Sequence, residues 1–404
     1  CCSVRLRRDM VEHLRPYLAG TAPAPGLVAE LPTATIAPVG SLALSGVCDA
    51  LGIPVGHSRK ILPGEVRSGT IGKQHGAPIL VPAKVNAEGR AIRPPITLVP
   101  SYHPAFAMRA EKEMMPVIVG DLARGARVAK RGGKIDWREA KPWLNPGPET
   151  AINIMERMRL SGAQITVDIE TDGVSTRHCQ IRCVGLGAVI DGEELVVVVP
   201  IRKISGALWW KPDVLRPVAR ALLTLLDHCK LAGQTLAFDT EILLRLGLMT
   251  DREKNWFDDA VAHHDTDQSE LQHDLGFMGA RYFETPRHKE DADASVIDGV
   301  SDHDLHAYCA KDVVLEMRLA TVLDKRISEC GTRTQFEVDT ELLPIMREMG
   351  CLGLPMNHAK RVSMYRELEV ERARKVKLLG ELVGKHPKRR DGTWGPEPVP
   401  SKKT

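Results

Sequence analysis

A chain of 404 residues is long enough for about two or three domains. Its formal net charge is only +3, so no broad basic field marks it as a polyanion binder, and any attraction to phosphate must be local, as at Arg5-Leu6-Arg7-Arg8 or Lys388-Arg389-Arg390. No apolar run approaches the roughly 20 residues of a membrane span. The nine cysteines form no disulfide framework for so long a chain, and no signal peptide is visible, so a reducing cytoplasm is expected. The chain starts at Cys1 and closes on a stretch that is Pro-rich from Pro396 and ends in lysines; it is read as a piece of something longer at both ends.

Leu6 to Leu14 has helical spacing, and Pro23, Pro25 and Gly26 mark the loop that follows. Thr35 to Val39 reads as a buried strand turning through Gly40 into the helix Ser41-Leu42-Ala43-Leu44. Residues from Leu51 to Pro95 are Gly- and Pro-rich, with short strands. Ile96 to Val99 is a strand that delivers Pro100-Ser101-Tyr102-His103-Pro104-Ala105 ahead of the helix Phe106 to Arg109. Strand alternating with helix implies an α/β layer. A histidine in that place either faces a ligand at the end of a sheet or caps the next helix. Lys130 to Lys134 and Pro142 to Pro148 make a basic, then Pro-rich linker, set at 132–160.

Strands then follow at Ile165 to Glu170, Ile181 to Val189 and Glu194 to Pro200, the last two joined by the hairpin signal Asp191-Gly192. Val214 to His228 is an amphipathic helix, and Leu231-Ala232-Gly233 is a short strand leading towards Asp239. Helices are expected at Phe257 to His264 and at Leu275 to Phe283, with a loop over Glu284 to Val300 and a long helix from Asp302 to Arg326. Glu337 to Gly350 and Ser363 to Val383 complete a helical end. His178, Cys179 and Cys183 lack paired spacing for zinc, and the neighbours His263 and His264 do not share a helix face.

Three acidic signals stand out. In Asp168-Ile169-Glu170 the two carboxylates project from the same side of a strand, close enough to share a cation. Phe238-Asp239 stands where a loop enters a helix. Tyr308 and Asp312 lie four apart on one face of the long helix. Four carboxylates from a strand, a loop-to-helix junction and a helix make an oxygen-rich site suited to two Mg²⁺ or Mn²⁺ ions. Two such cations activate a water and stabilise the leaving oxygen of a phosphodiester.

This set resembles the DEDD 3′–5′ exonucleases, and specifically the proofreading domain of family A DNA polymerases of the DNA polymerase I type. Tyr308 four before Asp312 fits the tyrosine subtype; the histidine subtype would want a His where Ala307 stands, and His303 and His306 are off register. The resemblance implies a ribonuclease H-like domain of mixed sheet and helices over 161–330. It implies Asp168, Glu170, Asp239 and Asp312 as metal ligands, Tyr308 as the residue that orients the water, and Gln234, Thr235 and Phe238 beside the terminal nucleotide. Many relatives have His-Asn where this chain has Gln234-Thr235, which alters that nucleotide contact. Met346 to Asn357 resembles the segment joining exonuclease to polymerase, with Asn357 where Asp is common, and 331–404 fits the start of a thumb. The palm and fingers are not present in this chain.

Ahead of it, Cys2-x-x-x-Leu6, Pro38-Val39-Gly40-x-x-Ala43, the Arg67 to Gly69 loop and Tyr102-His103-Pro104-Ala105 with Arg109 occur in the order seen in uracil-DNA glycosylases of the iron–sulfur type (families 4 and 5). The resemblance implies a partial α/β domain over 1–131, with Ser101, His103 and Pro104 against DNA. Cys2 matches the last cluster cysteine, but one ligand cannot hold a cluster, so iron–sulfur is expected only in a longer parent chain. Uracil excision is not expected of this chain alone.

The expectation is a monomeric two-metal 3′–5′ exonuclease acting on DNA 3′ ends in a bacterial or phage-infected cytoplasm, with no membrane partner. The alternatives are a ribonuclease D-like RNA 3′ exonuclease, which shares the tyrosine subtype, and a non-catalytic DNA clamp. Four mutually repelling acids argue against an idle clamp.

Overall fold

The computed structural model describes residues 34–51, 75–87, 91–109, 114–268, 272–286 and 300–383. Cys2, the Leu6 to Leu14 helix, the Arg67 to Gly69 loop and both basic clusters lie outside these residues. The chain divides into two units, residues 1–348 and 349–404.

The first strands are β1 (Ala34–Ile36), β2 (Ile79–Val81), β3 (Lys84–Val85), β4 (Ala91–Arg93) and β5 (Ile96–Leu98). β5 is central, parallel to β1 and antiparallel to β2, while β3 and β4 pair separately. The first helix, α1 (Ser41–Leu51), packs Leu44, Val47 and Cys48 onto Ile79, Val81, Ile96 and Leu98. α2 (Pro104–Arg109) and α3 (Met114–Lys130) follow.

The segment 132–160, expected as a linker, is built into the next sheet and its core. β6 (Trp143–Leu144) runs parallel to a later strand at the sheet edge, and α4 (Pro148–Ser161) buries Ala151, Ile154, Met155 and Met158. The Gly147-Pro148 pair that suggests a loop starts this helix, because proline in the first turn sacrifices no hydrogen bond and arrives with a helical φ.

The main sheet then forms from β7 (Ile165–Thr171), β8 (Ile181–Ile190) and β9 (Glu193–Pro200), all antiparallel in sequence. Asp191 (φ 54°) and Gly192 (φ 81°) make the two-residue turn between β8 and β9, both in the left-handed region that such a tight hairpin demands. After α5 (Pro212–His228) come β10 (Leu231–Gly233), α6 (Ala237–Arg245), β11 (Phe257–Asp258), α7 (Asp259–Thr266) and α8 (Leu275–Tyr282). The six-stranded order is β11-β10-β7-β8-β9-β6, a mixed sheet. α4 and α5 cover one side through Met155, Met158, Leu222 and Leu226.

The other side is crossed by α9 (Asp302–Cys330). It opens on a reciprocal cap between Ser301 and Asp304 and closes at Gly331, whose φ of 73° ends the helix in left-handed backbone. α10 (Arg333–Leu352) follows it. α9 also joins the two parts of the first unit. Leu315, Leu319 and Leu323 share one core with Phe277 and Met278 of α8, Tyr102, and Val117 and Ile118 of α3. Polar contacts reinforce this join: Arg124 donates to the Gly76 carbonyl at 3.0 Å and to the Arg281 carbonyl at 2.7 Å, and Arg131 pairs with the buried Glu284. In the second unit α11 (His358–Val383) is capped by Asn357, whose Oδ1 accepts from the Lys360 N–H at 2.9 Å. Among the described residues no helix is long and apolar enough to cross a membrane.

Candidate metal centre

β7 presents Asp168 and Glu170 on one face because strand side chains alternate, and both are half-buried. α9 brings the third acid. Its approach to the sheet is close because β8 carries Gly185 and Gly187 beneath it. A Cβ on Gly185 would lie 2.6 Å from Cys309 Sγ and from Val313 Cγ2, and one on Gly187 would lie 2.7 Å from Val313 Cγ1. A strand glycine here marks a site where another element sits almost on the backbone. Cys309 Sγ faces the Asp168 carbonyl at 4.0 Å, and Asp312 follows three residues on. Asp168, Glu170 and Asp312 each then offer an oxygen within 4.8 Å of the others. Among the described residues this is the one group of three or more His, Cys, Asp or Glu that meets such a distance.

Asp239 stands beside that group, outside the three-residue cluster. It is buried in the first turn of α6, and its Oδ1 accepts from the Ile169 N–H, between the two β7 acids, at 3.1 Å. Burial pushes its carboxyl well above the usual range, and the charge on Asp168 adds to the effect. The donor set is all oxygen and anionic, which fits hard divalent cations such as Mg²⁺ or Mn²⁺ and not softer metals. Tyr308 is half-buried one helical turn before Asp312.

The turn before Asp239 holds the remaining predicted contacts. Gln234 is half-buried and donates its Nε2 to the His273 carbonyl at 2.7 Å, and Phe238 packs against the main core. Thr235 is exposed with φ 55°, left-handed backbone that a β-branched residue rarely adopts. Asp258 lies in the stretch Phe257 to His264 that was expected as a helix beginning with an Asp, and it is the N-cap of α7. It is buried and accepts four hydrogen bonds, one of them from the Leu236 N–H.

The first part of the chain places its predicted residues differently. Ser101 has no exposed surface and donates its hydroxyl to Asp121 at 3.2 Å, so it does not face a nucleic acid; this corrects the expectation. His103 and Pro104 are exposed, and His103 Nδ1 accepts from the Ala105 N–H at 3.1 Å, the helix-capping role. Cys2 lies outside the described residues. Of the zinc candidates, Cys179 and Cys183 are buried in the core, and His263 Nδ1 lies 2.6 Å from His273 Nδ1 as a hydrogen-bonded pair.

Residues 147–328 match a family model described as 3'-5' exonuclease, so this part of the chain is a 3′–5′ exonuclease domain, a hydrolase. Exonuclease domains of this type use divalent metal ions. No curated protein matches the chain. Among solved structures, NrnC from Brucella melitensis with bound Mg²⁺ is 18% identical, with 52% of this chain and 92% of that one covered and a TM-score of 0.37. RNase D from Escherichia coli, an exoribonuclease, is 14% identical, with 52% and 51% covered and a TM-score of 0.37. The catalytic core of RRP6 from Trypanosoma brucei is 12% identical, with 51% and 52% covered and a TM-score of 0.37.

Proposed function

We propose that this chain is a metal-dependent 3′–5′ exonuclease that removes nucleotides from DNA 3′ ends, the editing part of a family A DNA polymerase. The observation that carries this reading is the meeting of Asp168, Glu170 and Asp312 within 4.8 Å, inside an exonuclease domain. Asp168, Glu170, Asp239 and Asp312 would hold two Mg²⁺ or Mn²⁺ ions. Such ions, when bound, activate a water and relieve charge at the leaving oxygen of a phosphodiester. Tyr308 holds the attacking water through its phenol, one turn from Asp312. Phe238, Gln234 and Thr235, in the turn that leads into Asp239, would meet the terminal nucleotide.

Two features support the polymerase context. The Met346 to Asn357 segment follows the exonuclease domain in the chain, after the first turns of α10, and a long exposed helix, α11, comes next in sequence, where a thumb would begin. In the same reading residues 1–131 are a partial glycosylase-like domain that holds DNA through the exposed His103-Pro104 loop.

The test is degradation of a 5′-labelled single-stranded DNA with Mg²⁺, beside an RNA of equal length and an EDTA control. A ladder shortening from the 3′ end of the DNA, absent with EDTA, is expected. Preference for the RNA would replace DNA by RNA as the substrate. Binding without cleavage would overturn the enzymatic reading in favour of a clamp.

A further inference from the structure

We propose that Asp258 is a positioning residue for the carboxylate site: it fixes the turn that delivers Asp239, and so sets metal affinity and turnover without touching ion or substrate. The inference rests on the exonuclease reading for its effect on turnover, but its effect on the turn does not.

An N-cap needs one side-chain oxygen, and Asp258 uses one for that purpose. Its Oδ1 accepts from the Ala260 N–H at 3.1 Å and the Val261 N–H at 3.4 Å, closing the start of α7. The second oxygen reaches a different segment. Oδ2 accepts from the Leu236 N–H at 3.2 Å and from the Trp256 indole N–H at 3.0 Å. Leu236 is the residue from which α6 starts, and α6 carries Asp239 in its first turn. Asp239 in turn accepts from the Ile169 N–H between Asp168 and Glu170. Two hydrogen bonds, joined by the first turn of α6, therefore lead from Asp258 to the middle of the acidic pair.

This turn needs outside support. Thr235 sits at φ 55°, a left-handed conformation that is unfavourable for a residue with a Cβ. Such backbone persists only where the surroundings over-determine it. The supports are visible on both sides. Gly233 pairs with Asp258 in the β10–β11 register, and a Cβ on Gly233 would lie 2.7 Å from the Val167 carbonyl, so the turn lies directly on β7. Trp256 is itself held under the Arg347 guanidinium, 5.7 Å from the ring centre. Losing the Asp258 link would let Thr235 relax, and Asp239 would move with it.

The test uses the full chain with Asp258→Asn. The amide keeps the α7 cap through its oxygen but turns an NH₂ towards the Leu236 and Trp256 donors. Three quantities are read: Mn²⁺ binding by electron paramagnetic resonance, the split between kcat and KM on the oligonucleotide, and hydrogen exchange of the peptide containing Ile169 in metal-free protein. The expected result is Mn²⁺ affinity and kcat each down about tenfold or more, KM nearly unchanged, and faster exchange at Ile169. Should Asp258→Asn not fold, Asp258→Ser, which also caps helices but is too short to reach Leu236, is read in the same way. A folded variant with wild-type Mn²⁺ affinity and Ile169 exchange, even with a lower Tm, would reduce Asp258 to a cap and overturn the proposal. A wild-type chain inert on both DNA and RNA would overturn the exonuclease reading instead, leaving exchange at Ile169 to decide the positioning role.

Discussion

Gly185 stands opposite Asp168 in the β7–β8 register, and the space where its side chain would be is filled by Cys309 from α9. The absent Cβ on one strand thus sets how closely α9, and with it Asp312, approaches the acids on the next. Gly185→Ala should push the helix outward, because a Cβ 2.6 Å from both Cys309 Sγ and Val313 Cγ2 has no room. Overpacking of this kind costs about 1–3 kcal/mol. Exonuclease rate should fall at least about tenfold, as for a site misplaced by an ångström. Adding Cys309→Ala removes one of the two contacts and should recover part of the loss in both Tm and rate. No recovery would mean that Val313 alone blocks the helix.

Asp312→Asn should abolish turnover while leaving the fold intact, and thermal melts carry further information. Wild-type protein should gain stability with Mg²⁺, by about 2.7 kcal/mol when the ion is at a hundred times its Kd, and the variant should gain far less. In EDTA the order should reverse. Removing one of three carboxylates that lie within 4.8 Å relieves repulsion in the metal-free state, so the variant should melt above wild type. An Asp312→Asn protein with near-normal exonuclease rate would show that Asp312 is not part of the site.

Much of this centre is legible in the sequence because its signals are local. Asp168 and Glu170 share a face by strand alternation, Tyr308 and Asp312 by helical spacing, and Asp191-Gly192 fixes the β8–β9 hairpin. What escapes are contacts between distant segments. Nothing near Ser101 says that its hydroxyl meets Asp121, and nothing near Trp143 says that two residues make a sheet edge against β9. Periodicity marks Val117, Ile118 and Phe277 as apolar but does not name them as partners in one core. Gly185 and Gly187 were not singled out in the sequence: glycines inside a strand mark a close approach, but nothing local says which helix makes it. The helix expected to stop near Arg326 runs on to Cys330, where the left-handed Gly331 ends it.

Thr235→Asn should stabilise the protein by up to roughly 1 kcal/mol, because asparagine tolerates the left-handed backbone that threonine occupies under strain. Urea unfolding of the two proteins measures this directly. The double change Gln234→His with Thr235→Asn addresses the nucleotide contact as well and should raise turnover or primer binding. Gained stability with no gain in either would confine Thr235 to backbone strain and remove this turn from substrate recognition.

His306 should contribute to the loss of stability in acid. It is fully buried on α9, its ring meets the Trp209 ring edge-on at 5.3 Å, and neither ring nitrogen has a hydrogen-bond partner. Burial lowers its pKa from 6.5 to about 4. The unfolded chain therefore takes up a proton as the pH falls through 6.5, while the folded protein refuses it until about 4. The sign follows: the stability associated with this group is intact above pH 6.5 and is lost progressively down to about 4. His306→Leu removes the linkage and an unsatisfied ring N–H of similar volume, so it should leave neutral-pH stability equal or higher and flatten the decline in Tm between pH 6.5 and 4. An unchanged acid slope in the variant would assign the decline to other groups, the carboxylates first among them.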